Sequence, residues 1–315
     1  MPKISVVMPT YNAGQYLREA IDSILGQTFE DFEFLIVDDN STDNTLEIIG
    51  SYKDSRIKLI NGPRRGLSAA LNYGIDLSGG EYIARMDADD IALPLRFEKQ
   101  VEFMDKHPKY GVCGVRAQHF SGKYELGLYG ARHVERPGLI DQLVCSVVLH
   151  SAVMFRKETL LHYGLRYDED YLTCEDQELW SRALRYTEFY NIQEPLMRRR
   201  KNLKGASTVK AKEGEESFAK IKLSILSYLF PSATFNKENL DEHIAEIIEV
   251  FMRNEPREKT DDIIKLLNMK ASVITPPPGF KSKYVMPVVN VLLPKSSARR
   301  ELIRRIYYKL RGGKL

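Results

Sequence analysis

The sequence predicts an α/β protein with a mostly parallel central sheet. Short strand patterns alternate with helical patterns over roughly the first hundred residues. The strands are apolar throughout, as strands covered by helices on both faces are. Polar or acidic residues follow the first, second and fourth strands. Because ligands of such sheets bind at the carboxyl ends of the strands, we expect a binding site at that edge.

Each element is predicted from its own pattern. Apolar runs predict strands at 4–8, 32–37, 57–60, 82–86, 111–120 and 152–156. Apolar residues at helical spacing predict helices at 17–25, 67–77, 94–107, 218–230, 240–252 and 261–267. A further helix passes through residues 48 and 49, with Ser41 as its expected N-cap. Another helix is expected to begin at Glu175 and Asp176.

The composition is that of a globular protein without a nucleic-acid partner. Of 315 residues, 43% are hydrophobic and 28% are charged, and the formal net charge is only +3. Cys113, Cys145 and Cys174 lack Cys-x-x-Cys spacing, which argues against a zinc cluster or a disulfide framework. The sequence shows no secretion leader and no apolar stretch of membrane-spanning length. We therefore predict a cytoplasmic protein, and leave contact with the inner face of the cell membrane open.

Asp87 and Asp89 follow the predicted strand at 82–86. Alternate positions at a strand end hold both carboxylates out at the rim of the sheet. Hard oxygen donors of this kind suit a divalent cation, and a cation suits a diphosphate. Taken alone, such a triplet is more often a solvated acidic turn. Its place in an ordered series of other motifs favours a metal site.

Two enzyme classes lack their sequence signals. No Gly-x-Gly-x-x-Gly turn follows the first strand, which argues against a nicotinamide or flavin enzyme. A sugar-nucleotide nucleotidyltransferase would need a glycine-rich phosphate loop there, and residues 9–12 do not form one. We keep that class as an alternative, together with a non-catalytic sugar-nucleotide-binding or scaffold protein.

Six segments, in order, resemble the family 2 glycosyltransferases over about residues 3–210. They are residues 4–12, 27–29, 36–43, 66–72, 87–90 and 174–180. The resemblance implies a GT-A fold that binds a nucleotide-sugar, with a catalytic domain at 1–210 and a helical C-terminal region at 211–315. The chain lacks a Gln-x-x-Arg-Trp motif and membrane spans, which argues against a processive polysaccharide synthase and favours transfer of one sugar.

The resemblance places the donor nucleotide at the ends of the first two strands. The backbone from Pro9 through Thr10 to Tyr11 would surround the base. Asp39 would accept a hydrogen bond from the N3–H of a uracil-like ring, which favours UDP-sugars, with TDP-sugars next. Asn72 lies in a matching segment and is assigned to the same nucleotide-sugar site. The alternative for the acid pair that includes Asp39 is capping of the helix that follows.

The resemblance also implies a divalent cation, Mn²⁺ or Mg²⁺. Asp89 would bind the metal, while Asp87 would contact the ribose or assist in holding the metal. Asp90 would be a helix cap or a supporting acceptor. A dication stabilises the charge that develops on departing UDP, so its removal should lower turnover more than donor binding.

For the acceptor, the resemblance points to Glu175 and Asp176, with Asp176 as the base that takes the proton of the acceptor hydroxyl. A carboxylate at a helix N-terminus is favoured in its ionised form by the helix dipole. Glu175 would contact the acceptor or shape the pocket. Attack from the face opposite UDP implies inversion at the anomeric carbon. The alternative is a pair of ordinary first-turn acids.

Other acceptor-side and lid residues have two interpretations each. The resemblance points to His150, and Trp180 lies one turn beyond Asp176, although a structural histidine and a core tryptophan are the alternatives. Asn202 stands where many relatives have a metal-binding histidine. Arg200 and Lys201 would lie against the diphosphate as a closing lid, or would form a solvated basic strand end.

The last residues form a basic segment. Residues 281–315 contain ten Lys or Arg residues and one acid, Glu301, and apolar side chains recur there at helical spacing. Such a helix fits an anionic membrane surface, which would place the enzyme beside a lipid-linked acceptor, as in bacterial envelope polysaccharide assembly. The alternative is a helix that packs on the catalytic domain or on a second subunit. The acceptor is therefore predicted to be a saccharide or a lipid-linked saccharide.

Overall fold

A computed structural model describes residues 1–128, 134–144, 146–201 and 211–229, together with 234, 235, 237, 240 and 244. These residues contain nine strands: β1 (Ile4–Thr10), β2 (Phe32–Asp38), β3 (Ile57–Asn61), β4 (Tyr82–Arg85), β5 (Ile91–Ala92), β6 (Tyr110–Ser121), β7 (Tyr124–Leu128), β8 (Met154–Arg156) and β9 (Glu188–Arg200). They form one sheet in the order β3-β2-β1-β4-β8-β6-β9-β5, and β7 pairs with β6.

Helices cover both faces of this sheet. They are α1 (Leu17–Leu25), α2 (Thr45–Gly50), α3 (Leu67–Leu77), α4 (Arg96–Lys106), α5 (Leu139–Val144), α6 (Lys157–His162), α7 (Glu175–Ala183) and α8 (Ala211–Leu229), with a 3-10 turn at His150–Ala152. One core packs the apolar sides of α1, α2 and α4 on the sheet. The other core packs α3, α6 and α7 on the opposite face. The continuous apolar character of the strands follows from this double cover.

Strand direction determines where the site can form. β1 pairs in parallel with β2 and β4, and β2 with β3, so the carboxyl ends of all four strands meet at one edge. β8 is antiparallel to both β4 and β6, and β9 is parallel to β6, so β6 and β9 also end at this edge. The predicted α/β fold with a mostly parallel sheet is confirmed.

One predicted cap is wrong. Helix α2 begins at Thr45 with Asn44 at its N-cap, not at Ser41. The Ser41 hydroxyl instead donates to Asp38 Oδ1 at 2.6 Å and accepts from the Asn12 N–H at 2.9 Å. Ser41 therefore ties the ends of the first two strands together, a contact between segments that local helix signals do not reveal.

The basic run that ends at Arg200 belongs to β9, a strand of 13 residues. Helix α8 packs on α5 and α7 through Leu143, Ile221, Ile225 and Leu226. None of the helices in the described ranges is long and apolar enough to cross a membrane. The predicted basic segment at 281–315, the helix at 261–267, Asn202 and Cys145 lie outside the described residues.

Candidate active site

The two acids at the end of β2 have different partners. Asp38 is buried, and its carboxylate accepts hydrogen bonds from the Thr10 hydroxyl at 3.2 Å and from the Ser41 N–H at 3.0 Å. Asp39 is partly exposed, and it accepts from the N–H groups of Arg64 at 2.6 Å and Gly66 at 2.8 Å. Asp38 therefore organises the strand ends, while Asp39 fixes the loop before α3. Each carboxylate oxygen can accept a second bond, so Asp39 can still receive a base N–H.

The end of β1 offers its backbone and one aromatic ring. Tyr11 is 64% exposed. Thr10 is buried, its hydroxyl bonds to Asp38, and its carbonyl accepts the Asp39 N–H at 2.8 Å. Pro9 lies opposite Val37 in the sheet. The side chain of Thr10 is thus used for structure, and the surface open to a planar ligand comes from Tyr11 and the backbone beside it.

Three carboxylates converge after β4. Ligand oxygens of Asp87, Asp89 and Asp90 all lie within 4.8 Å of one another. Asp90 is buried, and burial together with the charges of Asp87 and Asp89 raises its pKa to about 7. Three hard oxygen donors whose charges repel one another fit Mg²⁺ or Mn²⁺, because such a cation relieves the repulsion. Asp90 thus joins the two acids that the sequence singled out.

Arg200 corrects the predicted lid. Its backbone N–H donates to Asp90 Oδ1 at 2.8 Å, and its Nε donates to the Asp89 carbonyl at 2.8 Å. Its Nη2 bonds to Glu19 at 3.0 Å, and the side chain is only 7% exposed. The guanidinium lies over the rings of Tyr16 and Phe120, at 4.1 and 4.5 Å. Arg200 therefore holds the acidic loop rather than closing over a diphosphate.

Lys201, the other predicted lid residue, is exposed beside it. Its backbone N–H donates to the Phe120 carbonyl at 2.8 Å, which leaves the side chain at the end of β9. The structure therefore separates the two basic residues: Arg200 is a buried clamp, and Lys201 stays a predicted phosphate contact.

We expect Arg200→Met to weaken Mn²⁺ binding and lower kcat by roughly 10- to 100-fold, as loss of residues that orient metal ligands usually does. Mn²⁺ titration and initial rates measure the two effects. Arg198→Met is the matched control, since Arg198 lies on the same strand and over the same Phe120 ring but pairs with surface Glu125. Equal effects of the two substitutions would contradict the clamp.

The two acids that the sequence analysis assigns to the acceptor open helix α7. Glu175 and Asp176 are its first two residues, and Cys174 before them has a left-handed backbone with φ of 61°. Burial, followed by the charge of Asp176, raises the pKa of Glu175 to about 7. His150 Nδ1 lies 3.6 Å from Glu175, and His150 Nε2 lies 2.8 Å from the Tyr167 hydroxyl. For Glu175, burial outweighs the helix dipole.

The raised pKa of Glu175 predicts a pH-dependent stability. The folded state binds this proton more tightly than the unfolded state, so the contribution is complete below pH 4.5 and is lost as pH rises through about 7. Glu175→Gln escapes this loss, which is on the order of 1–3 kcal/mol. We expect the Tm of Glu175→Gln minus that of the unsubstituted protein to increase between pH 4.5 and 8. A Tm difference that stays constant with pH would contradict the assignment.

Comparison with known proteins identifies the family. The model of Glycosyl transferase family 2 matches residues 5–163, just over half of the chain. The chain belongs to this family. EpsE of Bacillus subtilis (strain 168), named as a glycosyltransferase, is 38% identical over 213 residues, which cover 64% of this chain and 74% of EpsE. An uncharacterized glycosyltransferase of Haemophilus influenzae (strain ATCC 51907 / DSM 11121 / KW20 / Rd) is 32% identical over 240 residues, 72% of this chain and 74% of that protein.

Two solved structures with bound nucleotide-sugars share the fold of this family 2 member. The S. aureus TarS 1-349 structure in complex with UDP-GlcNAc matches with a TM-score of 0.62 at 20% identity, covering 99% of this chain and 92% of TarS 1-349. Mannosyltransferase PcManGT from Pyrobaculum calidifontis, in complex with GDP-Man and Mn²⁺, matches with a TM-score of 0.51 at 15% identity, covering 98% and 81%. The predicted GT-A fold is confirmed, and glycosyl transfer takes precedence over the nucleotidyltransferase and scaffold alternatives.

Two predicted site residues of this glycosyltransferase lie in its interior. Trp180 is 0% exposed, with its ring near those of Phe155 and Phe189, so it is a core residue and not a sugar-stacking surface. Asn72 is buried, and its amide group donates to the Tyr167 carbonyl at 2.9 Å and accepts from the Tyr167 N–H at 3.0 Å. Asn72 therefore anchors the segment before α7 and is corrected from a donor contact to a structural residue.

Two buried arginines beside the acidic loop were not predicted from the sequence. Arg85 ends β4, and its Nη2 lies 2.6 Å from Asp87 Oδ1. Arg96 is fully buried in α4, donates to the Arg85 carbonyl at 2.8 Å and bonds to Gln100 at 3.1 Å. A charge at the end of an apolar strand and an Arg-Gln pair four residues apart on a helix were available signals. A buried arginine requires an ionic partner. Because Asp87, Asp89 and Asp90 follow Arg85 within five positions, a pair with one of them could have been predicted.

Proposed function

We propose that this glycosyltransferase moves one sugar from a UDP-sugar to a saccharide or lipid-linked acceptor, with inversion at the anomeric carbon and with Mn²⁺ or Mg²⁺ as cofactor. The observation that carries the proposal is the convergence of three carboxylates after β4 at the sheet edge where the nucleotide loops end. The cluster also acts on the first acid of α7, since the pKa of Glu175 is raised by burial, then by the charge of Asp176 and, least, by that of Asp87.

The donor proposal rests on the ends of β1 and β2. Asp39 and the exposed Tyr11 provide an acceptor and a flat surface for a base, and a uracil N3–H is the donor that suits a carboxylate. TarS 1-349 was crystallised with UDP-GlcNAc, which supports UDP as the nucleotide. A TDP-sugar presents the same N3–H and is the second candidate. Lys201 is proposed as a cation near the diphosphate.

The cofactor proposal rests on the acidic loop. Asp89 and Asp87 would hold the dication, with the buried Asp90 beside them and Arg200 fixing the loop. When bound, the dication neutralises the diphosphate as charge accumulates on the leaving group. The structure of PcManGT with Mn²⁺ supports the choice of metal. Because this stabilisation increases in the transition state, the cofactor contributes more to kcat than to donor binding.

The chemical step needs one base. We assign it to Asp176, and we place Glu175 and His150 on the acceptor side beside it. Asp176 takes the proton from the acceptor hydroxyl as that oxygen forms a bond to the anomeric carbon. The bond from this carbon to the phosphate oxygen breaks, and UDP leaves with the electron pair. A single displacement inverts the anomeric centre.

We also propose a site of action. The basic segment at 281–315 would hold the enzyme on the cytoplasmic face of an anionic membrane, in surface polysaccharide or glycan assembly. Flotation with anionic liposomes tests this by comparing the full-length chain with a chain that ends at Pro278. Equal flotation of the two proteins would rule out this membrane contact.

The donor is tested with a panel of UDP-, TDP-, GDP- and ADP-sugars, by thermal shift with and without Mn²⁺. We expect UDP-sugars to raise the Tm most, and only with a dication, because a ligand that binds the folded state stabilises it by mass action. With the selected donor, NMR of the product should show the anomeric configuration inverted. Retention of configuration, or an equal shift by GDP-sugars, would contradict the proposal.

A further inference from the structure

Arg85 is an unusual residue in the acidic centre. It is 2% exposed, and its Nη2 pairs with Asp87 Oδ1 at 2.6 Å. Its Nε and Nη1 are buried without a hydrogen-bond partner among the described residues. Buried polar groups nearly always have hydrogen-bond partners. A buried cation that lacks some of its partners destabilises the folded state. This arrangement requires an explanation that a purely structural salt bridge does not give.

The main chain of Arg85 is held firmly, whereas its side chain has one ionic partner in the ranges that the structure describes. Its N–H donates to the Val153 carbonyl at 2.9 Å, and its carbonyl accepts from Arg96 at 2.8 Å. Val153 directly follows the turn His150–Ala152, and His150 Nδ1 lies 3.6 Å from Glu175. The unpaired nitrogens therefore belong to a cation that pairs with Asp87 and is anchored beside the turn that contacts Glu175.

Within the described part of the chain, Glu175 forms one weak ion pair. Its nearest ionic contact is His150 Nδ1 at 3.6 Å, too long for a hydrogen bond, and the His150 Nε2 is already used by Tyr167. A carboxylate in this position gains from a cation. Arg85 can form a full ion pair with Glu175 only when it is not paired with Asp87.

We propose that Arg85 is a positioning residue that exchanges partners: it holds Asp87 while no dication is bound, and it pairs with Glu175 once a dication and the donor diphosphate engage Asp87. Binding of the donor would then hold the start of α7 in the position that acceptor binding requires. This inference rests on the proposed function, since it requires a dication at the acidic cluster.

The exchange predicts opposite effects on metal binding and catalysis. Without Arg85, Asp87 loses the cation that competes with the metal, so the dication should bind more tightly. At the same time Glu175 loses its counter-charge, so the acceptor-dependent step should be impaired. A merely structural role predicts that metal affinity and turnover fall together, because the loop would be disordered.

The test uses the full-length chain and the Arg85→Met substitution. Free Mn²⁺ is followed by electron paramagnetic resonance, without nucleotide and then with UDP. We expect the Mn²⁺ dissociation constant without nucleotide to fall by about tenfold, a usual size for coupling between two sites. We expect kcat to fall and the acceptor KM to rise, each by about tenfold or more, with the donor KM little changed. Arg85→Lys keeps the charge and should restore much of both properties.

Arg56→Met is the matched control, because Arg56 pairs with Asp54 on the surface and has no contact with the acidic loop. Weaker or unchanged Mn²⁺ binding by folded Arg85→Met would overturn the inference. If Arg85→Met does not fold, Arg85→Gln decides through the same Mn²⁺ titration: tighter Mn²⁺ binding without nucleotide supports the exchange, and weaker or unchanged binding overturns it. If the unsubstituted chain neither binds Mn²⁺ nor transfers sugar, the proposed function itself fails.

Discussion

Asp89→Asn is expected to abolish most sugar transfer, with a fall in kcat/KM of roughly a thousandfold or more. The substitution keeps the size of the side chain, and it leaves the carbonyl that accepts from Arg200 Nε in place. It removes one charge from the three-carboxylate cluster, and with it the carboxylate that we propose as a ligand of the dication. Initial rates at several Mn²⁺ concentrations, together with a direct Mn²⁺ titration, measure both consequences.

Asp31→Asn is the control for this change. Asp31 is exposed, lies just before β2 at the opposite edge of the sheet, and its carboxylate accepts the Lys3 N–H at 3.1 Å. It should retain full activity. The metal assignment would have to be abandoned if Asp89→Asn kept its Mn²⁺ affinity and its turnover, whatever the result for Asp31.

Asp176→Asn is expected to lower kcat by about 100- to 10,000-fold, the usual contribution of a general base. An amide has the shape of the carboxylate but cannot take the acceptor proton. Mn²⁺ affinity and donor binding should be unchanged, because the acids after β4 are intact. Single-turnover rates with a saturating donor separate the chemical step from binding.

An acid in the first turn of a helix can affect activity simply by stabilising that helix. Glu47→Gln controls for this effect. Glu47 is an exposed acid in the first turn of α2 and should tolerate the change with full activity. If Asp176→Asn transfers sugar at the normal rate, the base lies elsewhere. Glu175→Gln would then be the next variant to assay.

Much of the first half of the fold could be predicted because its signals are local. Helices α1 and α3 have the predicted bounds of 17–25 and 67–77, since apolar side chains recur there at helical spacing. Strands covered on both faces are recognisable by continuous apolar runs. The position of the acids followed from strand direction alone. Parallel strands end at one edge, and the polar turns had to meet there.

The errors concern residues whose partners are distant in sequence. Asn72 bonds to Tyr167 across 95 residues, and Arg200 bonds to Asp90 across 110. Trp180 is four residues beyond Asp176 on α7, so the two residues share a face of the helix. Helical spacing does not reveal which face of the helix the rest of the protein covers. Burial decided these roles, and burial depends on packing between segments that local spacing does not contain.

The clamp by Arg200 has a consequence for biosynthesis. A nascent polypeptide that has emerged as far as β8 already carries every aspartate of the acidic loop, but it lacks the arginine that grips Asp89 and Asp90. That arginine arrives with β9, which completes the sheet between β6 and β5. Chains that end before β9 are therefore expected to hold the dication more weakly than the finished protein, so that unfinished protein consumes little activated sugar.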